Sequence, residues 1–294
     1  MIQALSILIP TYNDKCLKLV KTLCDCAERE KTLQLFEIIV ADDGSTNQDT
    51  VHENKAINQL NHCFFLTRSK NMGRAAIRNF LVSQSHYPWL LFIDADMKII
   101  SDQFLHCYLA GEGQVVDGGY EILGINPHNL RYRYEIQSKA KRKAEIRNVT
   151  PYQQFHSSNF LVERSIMVEY PFDERFKSYG YEDVMLGKTF HQNDVQMTHI
   201  DNPVGFSHFE SNSQFVAKTE QSLQTLNEFR EDLRGYSHLL EVAEHLQQNG
   251  WADTMVRVFT LLRKKMRANL CGIYPSLWVF KFYKLGYFLS LSKK

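Results

Sequence analysis

The chain has 294 residues, 44% of them hydrophobic and 23% charged, with 34 Lys and Arg against 33 Asp and Glu. That length supports one large core, or a core with a smaller appendage, and the composition excludes a disordered chain. The near-neutral balance argues against non-specific nucleic-acid binding, so no nucleic-acid partner is expected. Six cysteines, at 16, 24, 26, 63, 107 and 271, show neither zinc-like nor framework spacing and read as free thiols in a reducing compartment. The first strand starts almost at Met1 and no leader is read, so a cytoplasmic location is expected.

Leu5 to Ile9 reads as the first strand, stopped by Pro10. Leu17, Val20, Leu23 and Ala27 stand near helical spacing and predict a helix over 14–30. Phe36 to Ala41 is a second strand, running through the turn Asp42-Asp43-Gly44-Ser45-Thr46 into another helix. Cys63 to Thr67 and the helix over 73–83 repeat the pattern. Trp89 to Ile93 is apolar throughout and too short for a typical helix, which suits a strand covered on both faces of a parallel sheet. Strands alternating with helices imply right-handed βαβ units and an α/β fold with a mostly parallel sheet. The strand ends then bring Thr11 and Tyr12, Asp42 and Asp43, and Asp94 and Asp96 to one edge, where open α/β sheets bind their ligands. With alternate spacing, one carboxylate of Asp94-Ala95-Asp96 can hold a divalent cation while the other orients a ligand hydroxyl. Taken alone, the same tripeptide also ends ordinary strands.

After Lys98 the pattern loosens to a helix over 102–109 and a strand over 114–120. Residues 130–147 are strongly basic (Arg131, Arg133, Lys139, Lys141, Arg142, Lys143, Arg147) and look helical. They read either as a solvated face or as a positive wall beside an anionic ligand. A short strand, Phe160 to Val162, precedes a helix from Ser165, and Tyr179-Gly180-Tyr181-Glu182-Asp183 opens a helix over 184–192. Carboxylates at that helix start are favoured by its dipole whatever else they do. His208, taken alone, fits a structural histidine better than a ligand.

Past Ser213 only helices are expected, at 214–232, 236–248 and 251–270, which places a catalytic domain at 1–212 and a helical region at 213–294. The segment 275–291 carries Trp278, Phe280, Phe282, Tyr283, Tyr287 and Phe288, interrupted by Lys281 and Lys284. It is too short and too charged to read as a membrane span. It suits an interfacial helix in peripheral contact with a membrane, or a helix packed on the chain's own core or on a second copy in a homodimer.

Several motifs fall in one order, and the order is more specific than any member. Ile9-Pro10-Thr11-Tyr12-Asn13 resembles the opening of family 2 glycosyltransferases with the GT-A fold. Val40 to Thr46 looks like their second signature, and Asn71-Met72-Gly73 with Ala76-Ile77-Arg78-Asn79 like their third. Asp94-Ala95-Asp96 sits where the family's Asp-x-Asp stands. Phe172-Asp173-Glu174-Arg175-Phe176, followed by Gly180-Tyr181-Glu182-Asp183, resembles the acceptor-side motif, including that of galactosyl- and N-acetylgalactosaminyltransferases. The resemblance covers roughly residues 4–210 and does not extend into the C-terminal helices.

What the resemblance implies is specific. Pro10, Thr11, Tyr12, Asp42 and Asp43 would line the pocket of a nucleotide-sugar donor, expected to be a UDP-sugar, with the two acids not separable by sequence. Arg78 would lie by the diphosphate or brace the Asp-x-Asp loop, and Asp94 with Ala95 would meet ribose or sugar. Asp96 and His208 would hold Mn2+ or Mg2+ as cofactor. Asp183 would be the base in a direct, inverting displacement, and Glu182 would bind the acceptor or support the base. Gly180-Tyr181 departs from the tryptophan and paired glycines often found there and leaves the acceptor sugar open. The acceptor is expected to be a glycan or lipid-linked glycan of surface-polysaccharide or oligosaccharide synthesis, and sugar choice is assigned to the loops around Gly118, Gly119 and Asn159. The first strand is followed by no glycine-rich phosphate loop, which argues against a nucleotidyltransferase. An inactive nucleotide-sugar-binding scaffold of the same fold is the other reading.

Overall fold

The computed structural model describes residues 2–111 and 113–291. Strands β1 (Ala4–Thr11), β2 (Leu35–Asp42), β3 (Cys63–Thr67) and β4 (Trp89–Ile93) run parallel and are linked through α1 (Leu17–Arg29), α2 (Gln48–Asn54) and α3 (Arg74–Gln84). Next come β5 (Met97–Ile99), α4 (Phe104–Leu109), β6 (Val115–Asp117), β7 (Tyr120–Ile122), α5 (Leu130–Gln137) and α6 (Ala144–Arg147). They are followed by β8 (Asn159–Glu163), α7 (Arg164–Glu169), α8 (Glu182–Gln192), β9 (Met197–His199) and β10 (Val204–Phe206). Among the described residues the main sheet has the order β3-β2-β1-β4-β8-β6-β9, with β8 antiparallel to both of its neighbours.

Both faces of the main sheet are covered, and the alternation of its strands shows how. Leu5, Ile7 and Ile9 of β1, Ile38 and Val40 of β2, and Leu91 and Ile93 of β4 join one apolar layer, against α1 and α4. Leu8, Ile39, Ala41, Leu90 and Phe92 join the other, against α3, α7 and α8. With period 2 and a helix layer on each side, the strands read as near-continuous apolar runs. The chain steps from β1 out to β3 and then returns to place β4 on the other side of β1. The gap between the C-terminal ends of β1 and β4 is therefore a topological switch point, where such sheets form a crevice.

Several sequence expectations are corrected here. The single strand over 114–120 is two: β6 stays in the main sheet, the chain turns at Gly118 and Gly119, and β7 joins a small sheet β5-β10-β7. The first helix begins at Leu17 and not at 14, because Asp14 is held in a turn by Thr11 Oγ1 and Asn54 Nδ2 at its carbonyl. The basic stretch is not one helix and not one surface. It breaks between α5 and α6; Arg142 pairs with Glu135 at 2.7 Å, and Arg147 is buried against Asp117 at 2.9 Å.

The C-terminal helices are α9 (Asn212–Glu228), α10 (His238–Gln248), α11 (Ala252–Cys271) and α12 (Leu277–Leu291). Of the alternatives for the aromatic tail, α12 takes the one in which it packs on its own chain. Phe280, Tyr283, Tyr287, Phe288 and Leu289 are buried among α9, α10, α11, and Leu130 and Phe176 from before residue 212. Gly286 lets α12 touch α11, since a Cβ there would meet the Phe259 ring at 2.6 Å. Among the described residues no helix is long and apolar enough to cross a membrane.

Candidate active site

A cleft of about 860 Å³ opens at the switch point between β1 and β4. Of the residues proposed from sequence, Pro10, Thr11, Tyr12, Asp43, Arg78, Asp94, Ala95, Asp96 and His208 line it. A smaller adjoining chamber of about 160 Å³ is lined by Glu182 and Asp183 and shares Asp94 and Asp96 with the cleft. Asp42 lines neither chamber.

The separation of the two neighbouring acids follows from local geometry. Asp42 ends β2 and turns inward, accepting from the Ser45 backbone N–H at 3.0 Å and from the Ser45 hydroxyl. Asp43, one residue on, faces the cleft and takes the backbone N–H groups of Met72 at 3.1 Å and Gly73 at 2.9 Å, with Arg68 at 3.4 Å. Asp43 thus ties the second signature to the third. Gly44 makes the approach possible: at φ 72° its Cβ would lie 2.7 Å from the Lys70 carbonyl carbon. Asn13, at φ 60°, ties the first signature to the second through its side-chain oxygen, which accepts from Asn47 N–H at 2.8 Å. Three sequence motifs are one hydrogen-bonded rim.

Arg78 projects from α3 beneath the cleft with its side chain 1% exposed, 2.6 Å from Asp94 Oδ1 and 3.8 Å from Glu182 Oε1. It therefore braces the Asp-x-Asp loop and joins that loop to the start of α8. Asn79 adds a clasp, donating to the Phe172 carbonyl and accepting its N–H, each at 2.9 Å. Phe172 and Phe176 of the acceptor-side motif are buried, and Asp173 pairs with nearby Arg175 at 2.6 Å. Those residues shape the loop and do not line either chamber.

Asp96 stands in an unusual field. Burial, then the charges of Asp94 and Asp14, push its carboxyl up to about 6, with Arg74 and Arg131 opposing. Partial desolvation also raises the Asp14 carboxyl, with His208, Lys218 and Arg74 offsetting in part. Asp14, Asp94 and Asp96 thus crowd together in a cleft with His208 at its wall, an oxygen-rich arrangement that a hard divalent cation would relieve. Among the described residues, no three His, Cys, Asp or Glu side chains form a group able to hold a metal ion. The set suits an ion that completes its shell with ligand phosphates and water, as Mg2+-type sites do.

The second chamber is built on the N-terminus of α8. Gly180 at φ 99° and Tyr181 at φ 71° turn the chain sharply into the helix. A Cβ on Gly180 would press on Ser222 Oγ at 2.8 Å. Tyr181 packs inward on the C-terminal helices. Glu182 and Asp183 fill the first turn, where the helix dipole favours negative charge. The Glu182 carboxyl is nonetheless raised: burial dominates, Arg74 and Arg78 oppose it, and the Asp183 charge adds to it. Its Oε2 is buried without a partner, as fits a group awaiting a ligand hydroxyl. Burial acts the same way on Asp183, but the His156 hydrogen bond and charge, the Val184 N–H and Arg78 outweigh it and hold that carboxyl below its ordinary value.

Sequence reasoning missed Asp14, Arg74, His156 and Lys218, all of which line one or both chambers, as does Arg131 of the basic stretch. Asp14 and Arg74 each follow a signature residue directly, so adjacency was a usable signal. Nothing local marked Gln214, Lys218 or Gln221, which reach the cleft from α9. Asn159 is fully buried and spends its amide on the carbonyls of Gly119 at 2.8 Å and Asn202 at 2.9 Å. It shapes the turn after β6 from behind and has no free group to offer a sugar.

Known proteins show the same pattern. The family model described as Glycosyl transferase family 2 matches residues 6–166. Validoxylamine A glucosyltransferase of Streptomyces hygroscopicus subsp. jinggangensis is 28% identical over 232 residues, 66% of this chain and 53% of that protein. The chain thus spans about half the length of this relative. S. aureus TarS 1-349 in complex with UDP-GlcNAc superposes with a TM-score of 0.53 at 17% identity, covering 99% of this chain and 91% of that one. Mannosyltransferase PcManGT from Pyrobaculum calidifontis, in complex with GDP-Man and Mn2+, superposes with a TM-score of 0.58 at 13% identity, covering 98% and 85%. These likenesses establish the GT-A fold.

Proposed function

The chain belongs to glycosyl transferase family 2, and on that footing we propose that it moves a sugar from a nucleotide-sugar donor to an acceptor hydroxyl with inversion. The observation that carries this reading is the meeting of two acid pairs, Asp94 with Asp96 and Glu182 with Asp183, in the one chamber that adjoins the cleft. One pair suits a donor diphosphate and the other a nucleophile that must lose a proton.

Pro10, Thr11, Tyr12 and Asp43 take the base and ribose, with Tyr12 exposed enough to stack on a base. A uracil base is proposed, in line with the UDP-GlcNAc complex of a fold neighbour. Asp96 and His208 would hold a divalent cation, Mn2+ or Mg2+, whose charge offsets that of the leaving diphosphate. Arg78 keeps Asp94 in place for a ribose or sugar hydroxyl. Asp183, held ionised, takes the proton of the acceptor hydroxyl as that oxygen bonds the anomeric carbon and the bond to the diphosphate breaks. Glu182 Oε2 accepts from a second acceptor hydroxyl.

The acceptor is proposed to be a glycan or lipid-linked glycan presented at a membrane surface. No acidic residue follows Asp253, whereas nine Lys and Arg do. The exposed face of α11 carries Val258, Leu261 and Leu262 beside these charges, so the peripheral contact is proposed there and not on the buried α12. The test is donor hydrolysis and transfer with a panel of UDP-sugars and Mn2+, read by anomeric proton NMR. Asp183→Asn is expected to bind UDP normally and to lose at least a hundredfold in transfer. Full transfer by that variant would overturn the assignment.

A further inference from the structure

Asp183 does not stand alone, and its neighbour has no place in the scheme above. His156 lies in the turn between α6 and β8, half-exposed on the wall of the smaller chamber. Its ring Nδ1 is 3.5 Å from Asp183 Oδ2. The other carboxylate oxygen, Oδ1, accepts the Val184 N–H at 2.8 Å. One oxygen is thus fixed to the helix start while the other is left for the imidazole and the chamber. A carboxylate oxygen has two lone pairs, so Oδ2 can face His156 and still accept an acceptor hydroxyl.

The histidine is itself fixed from behind. Its backbone N–H donates to Asp117 Oδ2 at 3.0 Å, and Asp117 Oδ1 is held by buried Arg147 at 2.9 Å and by Gly119 N–H at 2.7 Å. The imidazole and the Tyr120 ring form a T-shaped pair with centroids 5.8 Å apart. A buried ion pair between β6 and α6 therefore sets the backbone of the residue that reaches Asp183.

We propose that His156 is the positioning residue of this site, its ring fixing the orientation and charge of the Asp183 carboxylate. The inference rests on the reading of Asp183 as the base. The groups facing His156 are Asp183 of α8, Asp117 of β6, Glu135 of α5, Tyr120 of β7 and His199 of β9. Those facing Asp183 are His156, Glu182, Tyr181 and Arg78. Around His156 the acids prevail: partial desolvation lowers its pKa, but Asp183, then Asp117 and Glu135, raise it overall. The pair therefore stands as imidazolium and carboxylate over the range between their two titrations. Asp183 loses that support when the ring deprotonates at higher pH.

The experiment is carboxyl-carbon NMR titration of the full chain carrying labelled aspartate, with the Asp183 signal assigned by its loss in Asp183→Asn. In His156→Gln the Asp183 midpoint is expected to rise by about one pH unit, the lower end of what an adjacent opposite charge produces. The acid limb of the transfer rate is expected to move with it. His156→Lys retains a cation and is expected to return both toward the parent values. An unchanged Asp183 midpoint in His156→Gln overturns the proposal, as does a rate loss uniform across pH. Should His156→Gln fail to fold, a His156→Lys midpoint as high as that of an unpaired aspartate overturns it equally. Failure of the underlying reading shows elsewhere, as full transfer by Asp183→Asn.

Discussion

Arg78 is the point where the Asp-x-Asp loop and the start of α8 depend on one side chain, so its removal gives the most demanding test of the architecture. The guanidinium is 1% exposed, contacts Asp94 at 2.6 Å and Glu182 at 3.8 Å, and lies over the Phe172 ring with its Cζ 5.5 Å from the centroid. Arg78→Met keeps most of the volume and deletes the charge. Removing one partner of a buried pair leaves the other uncompensated and costs about 3–5 kcal/mol. At roughly 2–4 °C per kcal/mol for a chain of this size, melting should fall by about 6–20 °C. The deficit should depend on pH. The Glu182 carboxyl is already raised in the fold, so its ionisation costs stability as pH rises through the folded value. Deleting Arg78 removes one of the cations that oppose this. The loss should therefore be full at pH 8 and smaller at pH 5, where Glu182 takes up a proton more readily. The assay is thermal melting of parent and variant by circular dichroism at both pH values. A loss below about 1 kcal/mol at pH 8 would refute the reasoning, because an exposed ion pair is worth no more than that.

Other consequences are equally direct. Glu210 is held below its ordinary pKa because Arg131 at 2.9 Å and Lys218 at 3.2 Å outweigh burial; Glu210→Gln should destabilise at pH 7 and match the parent once pH falls below the folded value, as chemical denaturation will show. Asp96 is a cost to the ligand-free protein, so Asp96→Asn should raise its melting temperature at pH 8 while abolishing metal-dependent nucleotide binding; a lowered melting temperature would contradict the burial argument. Gly118→Ala would place a Cβ 2.5 Å from both Asn159 Nδ2 and the Asn202 carbonyl, and a loss of about 3 kcal/mol or an insoluble product is expected. Deleting 272–294 should unfold the helical region, since it removes the buried Phe280, Tyr283 and Phe288. The membrane contact is better tested by Leu261→Glu with Lys264→Glu and Lys265→Glu, which should abolish flotation with anionic vesicles and leave melting unchanged.

Much of the core was legible because its determinants are local. Trp89 to Ile93 is apolar on both faces, so it reads as a central strand, and Asp94 to Asp96 had to emerge at its end. The existence of β1 and β2 was legible from the runs Leu5 to Ile9 and Phe36 to Ala41, whereas their register, from Ala4 opposite Leu35 to Thr11 opposite Asp42, comes from the structure. Short elements were not legible. Met97 to Ile99, Met197 to His199 and Val204 to Phe206 are three residues each and carry too little periodicity. The split of β6 from β7 hung on Gly118 and Gly119, whose effect depends on Tyr108 and Asn202 far along the chain.

The site was legible where its residues belong to ordered motifs and hidden where the chain returns from a distance. Asp42 and Asp43 are indistinguishable in composition, and only the Ser45 and Gly73 contacts separate them. His156 had no motif of its own, and its role comes from Asp117 behind it and Asp183 before it. The aromatic tail stayed open between alternatives because burial against α9 and α11 uses the same residues as a lipid interface. The charge run at 130–147 misled for a related reason: Arg147 is an interior ion pair that no local pattern distinguishes from surface charge.

The central claim is that Asp96, with His208, organises a metal-dependent nucleotide site at the switch point. Isothermal titration of the full chain with UDP, with and without Mn2+, in the parent and Asp96→Ala, tests it most directly. Tight binding that requires both Mn2+ and Asp96 is the predicted result. UDP binding of equal strength without metal or in Asp96→Ala, or no binding in any condition, would contradict it.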